Sequence, residues 1–248
     1  ASGPLSFMDV RDSMCRTILS AGQRRGAMMG ILRIDHPDIE AFIDAKRDAA
    51  ELRHFNCSVR VSDAFMRAVA DDADWPLVFA GATRRTVKAR ALWQRLMRAA
   101  YDSAEPGGLC VDTINRDNTL AGIETLAATN PCGEIPLPPY GACDLGSLNL
   151  AAFVTAPFEA DARLDLAALA DAAAQAVRFL DDVIDVSRYP LPAQADEARR
   201  KRRIGLGITG LADALILLGL AYDSDAARTL AAEAMRSVRD AAYRASVA

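Results

Sequence analysis

Histidine is nearly absent, with only His36 and His54 in 248 residues. Two isolated imidazoles are too few for a metal centre, so no protein-bound metal is expected. Paired cysteines are missing too. Cys15, Cys57, Cys110, Cys132 and Cys143 are an odd number without a CxxC pair, a pattern that indicates neither a disulfide scaffold nor a zinc site. Nor does one sign of charge dominate: 29 Lys and Arg against 33 Asp and Glu give a net charge of -4. With bases interleaved among acids there is no footprint for a phosphate backbone, and nucleic acid is not an expected direct partner. No apolar run reaches the roughly 18 residues of a membrane span. The opening Ala1-Ser2-Gly3-Pro4-Leu5 lacks a basic-then-apolar export signal, so no membrane partner and a cytoplasmic protein are expected.

A composition of 51% hydrophobic and 25% charged residues suits an ordinary globular domain. No repeat, low-complexity linker or composition break divides the chain, and residues 1–248 read as one domain. The chain has no initiator Met and stops at Ala248 inside a helical pattern without a capping signal, which suggests a fragment.

The order of elements alternates. A helical pattern over Phe7–Leu19 is followed by the Gly/Arg-rich turn Gly22–Gly26, a strand at Met28–Leu32 and a short helix from Asp38 to Lys46. Charged residues mark Lys46–Arg53 as a loop before a strand at Cys57–Val61. Pro76–Phe79 is a further strand. Thr86 is placed to cap a helix with the face Ala89, Trp93, Leu96, Met97 and Ala100, ended by Gly107-Gly108. Four prolines and several glycines make Asn130–Gly146 irregular. The strongest helix carries Leu166, Leu169, Ala173, Ala176, Leu180 and Val183 along one face and is closed by Pro190. Gly205, Gly207 and Gly210 read as tight packing at the entry to another apolar helix, since they complete no phosphate-loop fingerprint. An amphipathic helix fills Asp225 to the end, and the whole is an α/β chain.

Chemistry concentrates in Asn130-Pro131-Cys132-Gly133-Glu134. The carboxylate can serve as general base and the amide can orient a hydroxyl, while the thiol can be nucleophile, metal ligand or one-electron centre. The spacing alone leaves these open, as it does a plain buried cysteine among turn residues. A second thiol, Cys143, lies 11 residues on in the Gly-containing run Tyr140-Gly141-Ala142-Cys143-Asp144-Leu145-Gly146, which suggests redox work. Cys15, Cys57 and Cys110 read as packing residues. The run Arg199–Arg203 reads as a solvated helix end.

Asn130–Glu134 followed by Leu137–Leu150 resembles the active-site signature of ribonucleotide reductases, and its Pro-Cys-Gly-Glu form resembles the adenosylcobalamin-dependent class. The similarity extends to Ser2–Met8, Arg24–Ala27, Asp35–Ile39 and Arg203–Asp213. It implies part of a ten-stranded α/β barrel of the kind found in these reductases and in glycyl-radical enzymes, built from two five-stranded halves. It also implies reduction of ribonucleotides, by analogy diphosphates, to deoxyribonucleotides for DNA synthesis. Cys132 would bear the thiyl radical that removes the ribose 3'-hydrogen, Glu134 would deprotonate the 3'-hydroxyl, and Asn130 would hydrogen-bond the ribose. Cys143 would be one of two cysteines that supply electrons and form a disulfide.

The implied cofactor is adenosylcobalamin. The implied partners are a ribonucleotide substrate, a deoxynucleotide or ATP effector and a thioredoxin-like reductant, and the resemblance also allows a homodimer. Ser6, with Phe7 beside it, and Ala142 and Ser147 would neighbour the substrate, although a serine at Ser147 also suits local backbone bonding. The loop Lys46–Asn56 corresponds by position to a family loop that links effector to base choice. Lys46, Arg47, Arg53 and Asn56 would meet base or phosphate there unless the loop is simply solvated. Two other readings are a large subunit that needs a radical-generating partner subunit and a truncated, non-catalytic nucleotide-binding remnant. A second redox cysteine and a phosphate-binding loop would lie outside these residues, so the chain alone is expected to be inactive and prone to aggregate.

Overall fold

The computed structural model describes residues 3–18, 26–48 and 50–248. Residues 22–25 of the Gly/Arg-rich stretch Gly22–Gly26 and the matching residue Ser2 lie outside them. The chain packs as two compact units, residues 1–139 and 140–248.

In the first unit, helix α1 (Pro4–Thr17) precedes strand β1 (Met28–Arg33), helix α2 (Ile39–Asp44) and strand β2 (Phe55–Val61). Helix α3 (Asp63–Ala70), the hairpin β3 (Asp74–Phe79) and β4 (Ala82–Lys88), and helix α4 (Ala89–Ser103) follow. Strand β5 (Gly107–Cys110), helix α5 (Val111–Arg116) and the two-residue strands β6 (Ala128–Thr129) and β7 (Pro136–Leu137) complete it. Strands β1, β2 and β5 form a parallel sheet with β2 in the middle. Central position explains β2's burial: Cys57, Ser58, Val59 and Val61 are all buried, as a strand covered on both faces requires. Phe42, Phe65, Leu77 and Leu96 fill the core around it, with Phe65 edge-on to Trp75 at 5.1 Å between ring centroids.

Three expectations need correction in this unit. Thr86 caps no helix; it pairs with Pro76 in β4, where a β-branched residue fits extended backbone. The buried face of α4 is Ala89, Leu92, Leu96 and Ala99, one step round from the expected face, which leaves Met97 40% exposed. Gly107 and Gly108 do not end α4, which stops at Ser103 with Ala104 in the left-handed region at φ 61°. They form β5 instead, and a Cβ on Gly107 would sit 3.0 Å from Ser58 Oγ, so glycine is what permits this close strand approach.

The second unit contains strands β8 (Asp144–Asn149), β9 (Val154–Thr155) and β10 (Arg163–Leu164) and helices α6 (Leu166–Val186) and α7 (Pro192–Lys201). Strand β11 (Ile204–Thr209) and helices α8 (Leu211–Leu217) and α9 (Asp225–Val247) follow. Strands β8 and β11 pair in parallel, and α6 packs against both. Asp165 caps α6 through Ala167 and Ala168 N–H groups, and Ala173, Ala234 and Ala241 keep side-chain bulk low where α6 and α9 pack together.

Pairing overrides sequence pattern twice here. Asp144–Gly146 is strand and not irregular loop, and Gly205 and Gly207 lie inside β11 and not at a helix entry. A Cβ on Gly205 would meet Leu145 Cδ2 at 2.5 Å. Only Gly210 keeps the expected role, as the left-handed residue at the entry to α8 (φ 67°). Helix α6 ends at Val186, before Pro190, with Ser187 Oγ donating to Val183 O. The α/β class stands, and the described strands form no closed barrel.

Candidate functional site

Pairing of β6 with β7 brings Thr129 opposite Pro136 and closes a short loop with Cys132 at its tip. Asn130 organises that loop. Its carbonyl accepts from Gly133 N–H at 3.0 Å, its N–H donates to Ile135 O at 3.3 Å, and its Oδ1 accepts from Ile135 N–H at 3.1 Å. Proline at the second position and glycine at the fourth suit the turn that results. Gly133 has φ 85° and open space where a Cβ would point, so conformation and not crowding demands glycine there. Cys132 and Glu134 are exposed at this turn and Asn130 is half-buried.

Two further residues fix the loop to its surroundings. Asn115, on α5, donates through Nδ2 to Leu126 O at 2.9 Å and accepts at Oδ1 from Leu126 N–H at 2.8 Å. Its amide thereby grips the backbone just before β6. Asn56, on β2, donates through Nδ2 to Pro131 O, next to Cys132. Sequence reasoning missed Asn115, though an asparagine inside a helix is itself a signal of side-chain bonding to backbone.

The charged loop holds the expected loop residues in different settings. Lys46 donates to Phe55 O and forms an ion pair with Glu105, Arg47 pairs with Asp44 at 3.1 Å, and Arg53 is exposed. Asn56 is brought to the Cys132 turn. Ser6 is exposed on α1. Three cysteines read as packing divide: Cys57 is buried, with burial pushing its thiol up to about 11, and Cys15 is half-buried, but Cys110 is exposed at the start of α5. Strand β5 ends at Cys110, which turns that thiol outward.

In the second unit Cys143 is half-buried at the start of β8 and donates to Asp144 O at 3.4 Å. It lines a cavity of about 180 Å³ together with Ala142, Asp144, Ser187, Tyr189 and Arg203. Burial raises the Asp144 carboxyl above the ordinary carboxylate value; its own backbone N–H works against that and the nearby Asp181 charge reinforces it. Ser147, on β8, is exposed. No cluster of three or more His, Cys, Asp or Glu that could hold a metal ion occurs among the described residues. No described helix is long and apolar enough to cross a membrane.

Residues 1–248 match the family described as "Ribonucleotide reductase, barrel domain". A vitamin B12-dependent ribonucleoside-diphosphate reductase of Mycobacterium tuberculosis is 47% identical over 249 residues, covering 99% of this chain and 35% of that protein. The enzyme of the same name from Thermoplasma acidophilum is 39% identical over 251 residues, covering 100% of this chain and 32% of its own length. A vitamin B12-dependent ribonucleotide reductase of Streptomyces clavuligerus is 34% identical over 272 residues, covering 99% of this chain and 28% of its length. The chain spans about a third of the length of these relatives.

Proposed function

Because the chain belongs to the ribonucleotide reductase barrel-domain family, we propose that it is the part of a reductase that presents the radical-bearing thiol and one reducing thiol to a ribonucleotide, giving a deoxyribonucleotide. The observation that carries this reading is the turn in which Cys132 stands exposed between Asn130 and Glu134. The five parallel-paired strands β1, β2, β5, β8 and β11 are assigned to a ten-stranded α/β barrel completed by the rest of the protein.

In this reading Cys132, as a thiyl radical, takes the 3'-hydrogen atom from the ribose and becomes a thiol. Glu134 accepts the 3'-hydroxyl proton as general base. Asn130 spends its Oδ1 on Ile135 N–H, so the Nδ2 end is left to donate to a ribose hydroxyl. Its three bonds to Gly133 and Ile135 hold the turn rigid, as a reactive centre requires. Cys143 gives up electrons as the 2'-hydroxyl leaves, forming a disulfide with a second thiol of the enzyme that a thioredoxin-like dithiol then reduces. Ser6, Ala142 and Ser147 are assigned to the surroundings of the substrate. Lys46, Arg47, Arg53 and Asn56 are assigned to the response to a deoxynucleotide or ATP effector, and the protein is assigned to the cytoplasm.

The relatives' names support adenosylcobalamin as the radical source. Cys132 fits that source, because an exposed thiol on a rigid turn can give a hydrogen atom to a radical generated beside it. When bound, the cofactor supplies that radical through homolysis of its cobalt–carbon bond. The test is turnover by the full-length enzyme with adenosylcobalamin and no second protein subunit. Cobalt–carbon cleavage coupled to product formation is expected, whereas turnover only with an added radical-generating subunit would overturn the cofactor assignment.

A further inference from the structure

The carboxylate of Asp144 is a charged group in the wrong place for stability. Both of its oxygens are shielded from solvent, and neither finds a hydrogen-bond partner in another residue. Orphaned buried acids are costly and call for an explanation. Cys143, its neighbour in sequence, lines the same cavity and donates its thiol to Asp144 O. The cavity volume of about 180 Å³ leaves room for several waters at roughly 30 Å³ each.

We infer that Asp144 is the proton relay of Cys143, passing the thiol its proton through this cavity as the oxidised sulfur is reduced again. The inference rests on the reading of Cys143 as a reducing thiol. When Cys143 and the second thiol are oxidised, the S–S bond forms and both S–H protons and the electron pair go to the substrate, whose 2'-hydroxyl leaves as water. On re-reduction one thiol of an external dithiol loses its proton to the Asp144 carboxylate by way of the cavity and attacks the second cysteine's sulfur. The S–S bond breaks, Cys143 leaves with the bonding electrons and takes the proton of the Asp144 carboxylic acid, and the dithiol's other thiol displaces the second cysteine from the mixed disulfide, its proton passing to that sulfur as the dithiol becomes the disulfide. Thiol–disulfide exchange is sensitive to protonation of the leaving sulfur, so a matched acid at this point accelerates it.

The charges around Asp144 favour the protonated form. Burial and Asp181, on the packed helix α6, both oppose ionisation. Asp181 is itself held by Arg202, and Arg203, Tyr189 and Cys143 are the other titratable groups lining the cavity. An acid raised in this way holds its proton closer to the pH at which thiols exchange.

The test uses the full-length reductase, oxidised by a single turnover without reductant and then re-reduced with dithiothreitol, with Cys143 followed by acid quench and mass spectrometry. Asp144→Asn is expected to slow re-reduction at least ten-fold and to shift the pH profile of Cys143 alkylation by iodoacetamide, and Asp144→Glu is expected to restore both. Unchanged rates and profile in Asp144→Asn, or loss without rescue by Asp144→Glu, would overturn the relay. The alkylation profile needs no turnover, so it separates this inference from the reading beneath it. Normal multiple turnover in Cys143→Ser would sink that reading whatever Asp144 does.

Discussion

The side chain of Asn56 donates a hydrogen bond to the carbonyl oxygen of Pro131, 75 positions away and one residue before Cys132. The central strand of the parallel sheet therefore holds the turn that carries the exposed thiol. Asn56→Ala removes a bond worth about 1 kcal/mol. If it is lost only in the reacting geometry, kcat of the full-length enzyme should fall about five-fold with KM little changed. A rise in KM alone would mean that Asn56 meets nucleotide instead of positioning the turn.

Asn115 grips Leu126 through both its N–H and its C=O, and also donates to Val111 O at 3.0 Å. Asn115→Ala strands the backbone groups of the buried Leu126 and should lower stability by about 2 kcal/mol in urea titration. Asn115→Asp keeps the acceptor and loses the donor, so an intermediate loss is expected.

Thiol reactivity should follow exposure and proton affinity. Cys132 and Cys110 are exposed, while Cys57 is buried with its thiol pushed up to about 11. At pH 8 a thiol of that kind is ionised to roughly one part in a thousand. Iodoacetamide mapping at pH 8 should label Cys132 and Cys110 early and Cys57 only on unfolding. Early labelling of Cys57 would contradict the packing of β2.

Asp144 sets a sign for stability against pH. Its carboxyl is raised in the folded chain above 3.8, so folding binds the proton more tightly than the unfolded chain does. The folded state is penalised above the raised value, and the penalty disappears as pH falls below 3.8. Asp144→Asn should therefore stabilise by about 1 kcal/mol at pH 7, with the gain shrinking towards pH 4. A gain that is constant with pH would remove ionisation as its cause.

Elements with a clear apolar period were legible in the sequence: Leu169, Ala173 and Leu180 do line the buried face of α6, although Val177 and Ile184 are buried there and not the expected Ala176 and Val183. Elements made by partners were not. Thr86 and Gly205 are strand residues because β3 and β8 pair with them, and helix α7, whose only buried residue is Ala198, has no apolar stripe to announce it. The turn around Cys132 was legible because Pro131 and Gly133 carry their conformations in their chemistry. Of the hands that hold it, Asn56 lies 75 positions from Pro131 and Asn115 lies 11 from Leu126, and the link of each exists only after folding.

The most direct measurement is exchange of the substrate 3'-hydrogen in the full-length enzyme carrying Cys132→Ser or Cys143→Ser. With Cys132 as the radical-bearing thiol and Cys143 as reductant, exchange should vanish in Cys132→Ser and persist in Cys143→Ser, which fails only in repeated turnover. Exchange that survives in Cys132→Ser, or is lost equally in both, would contradict the account.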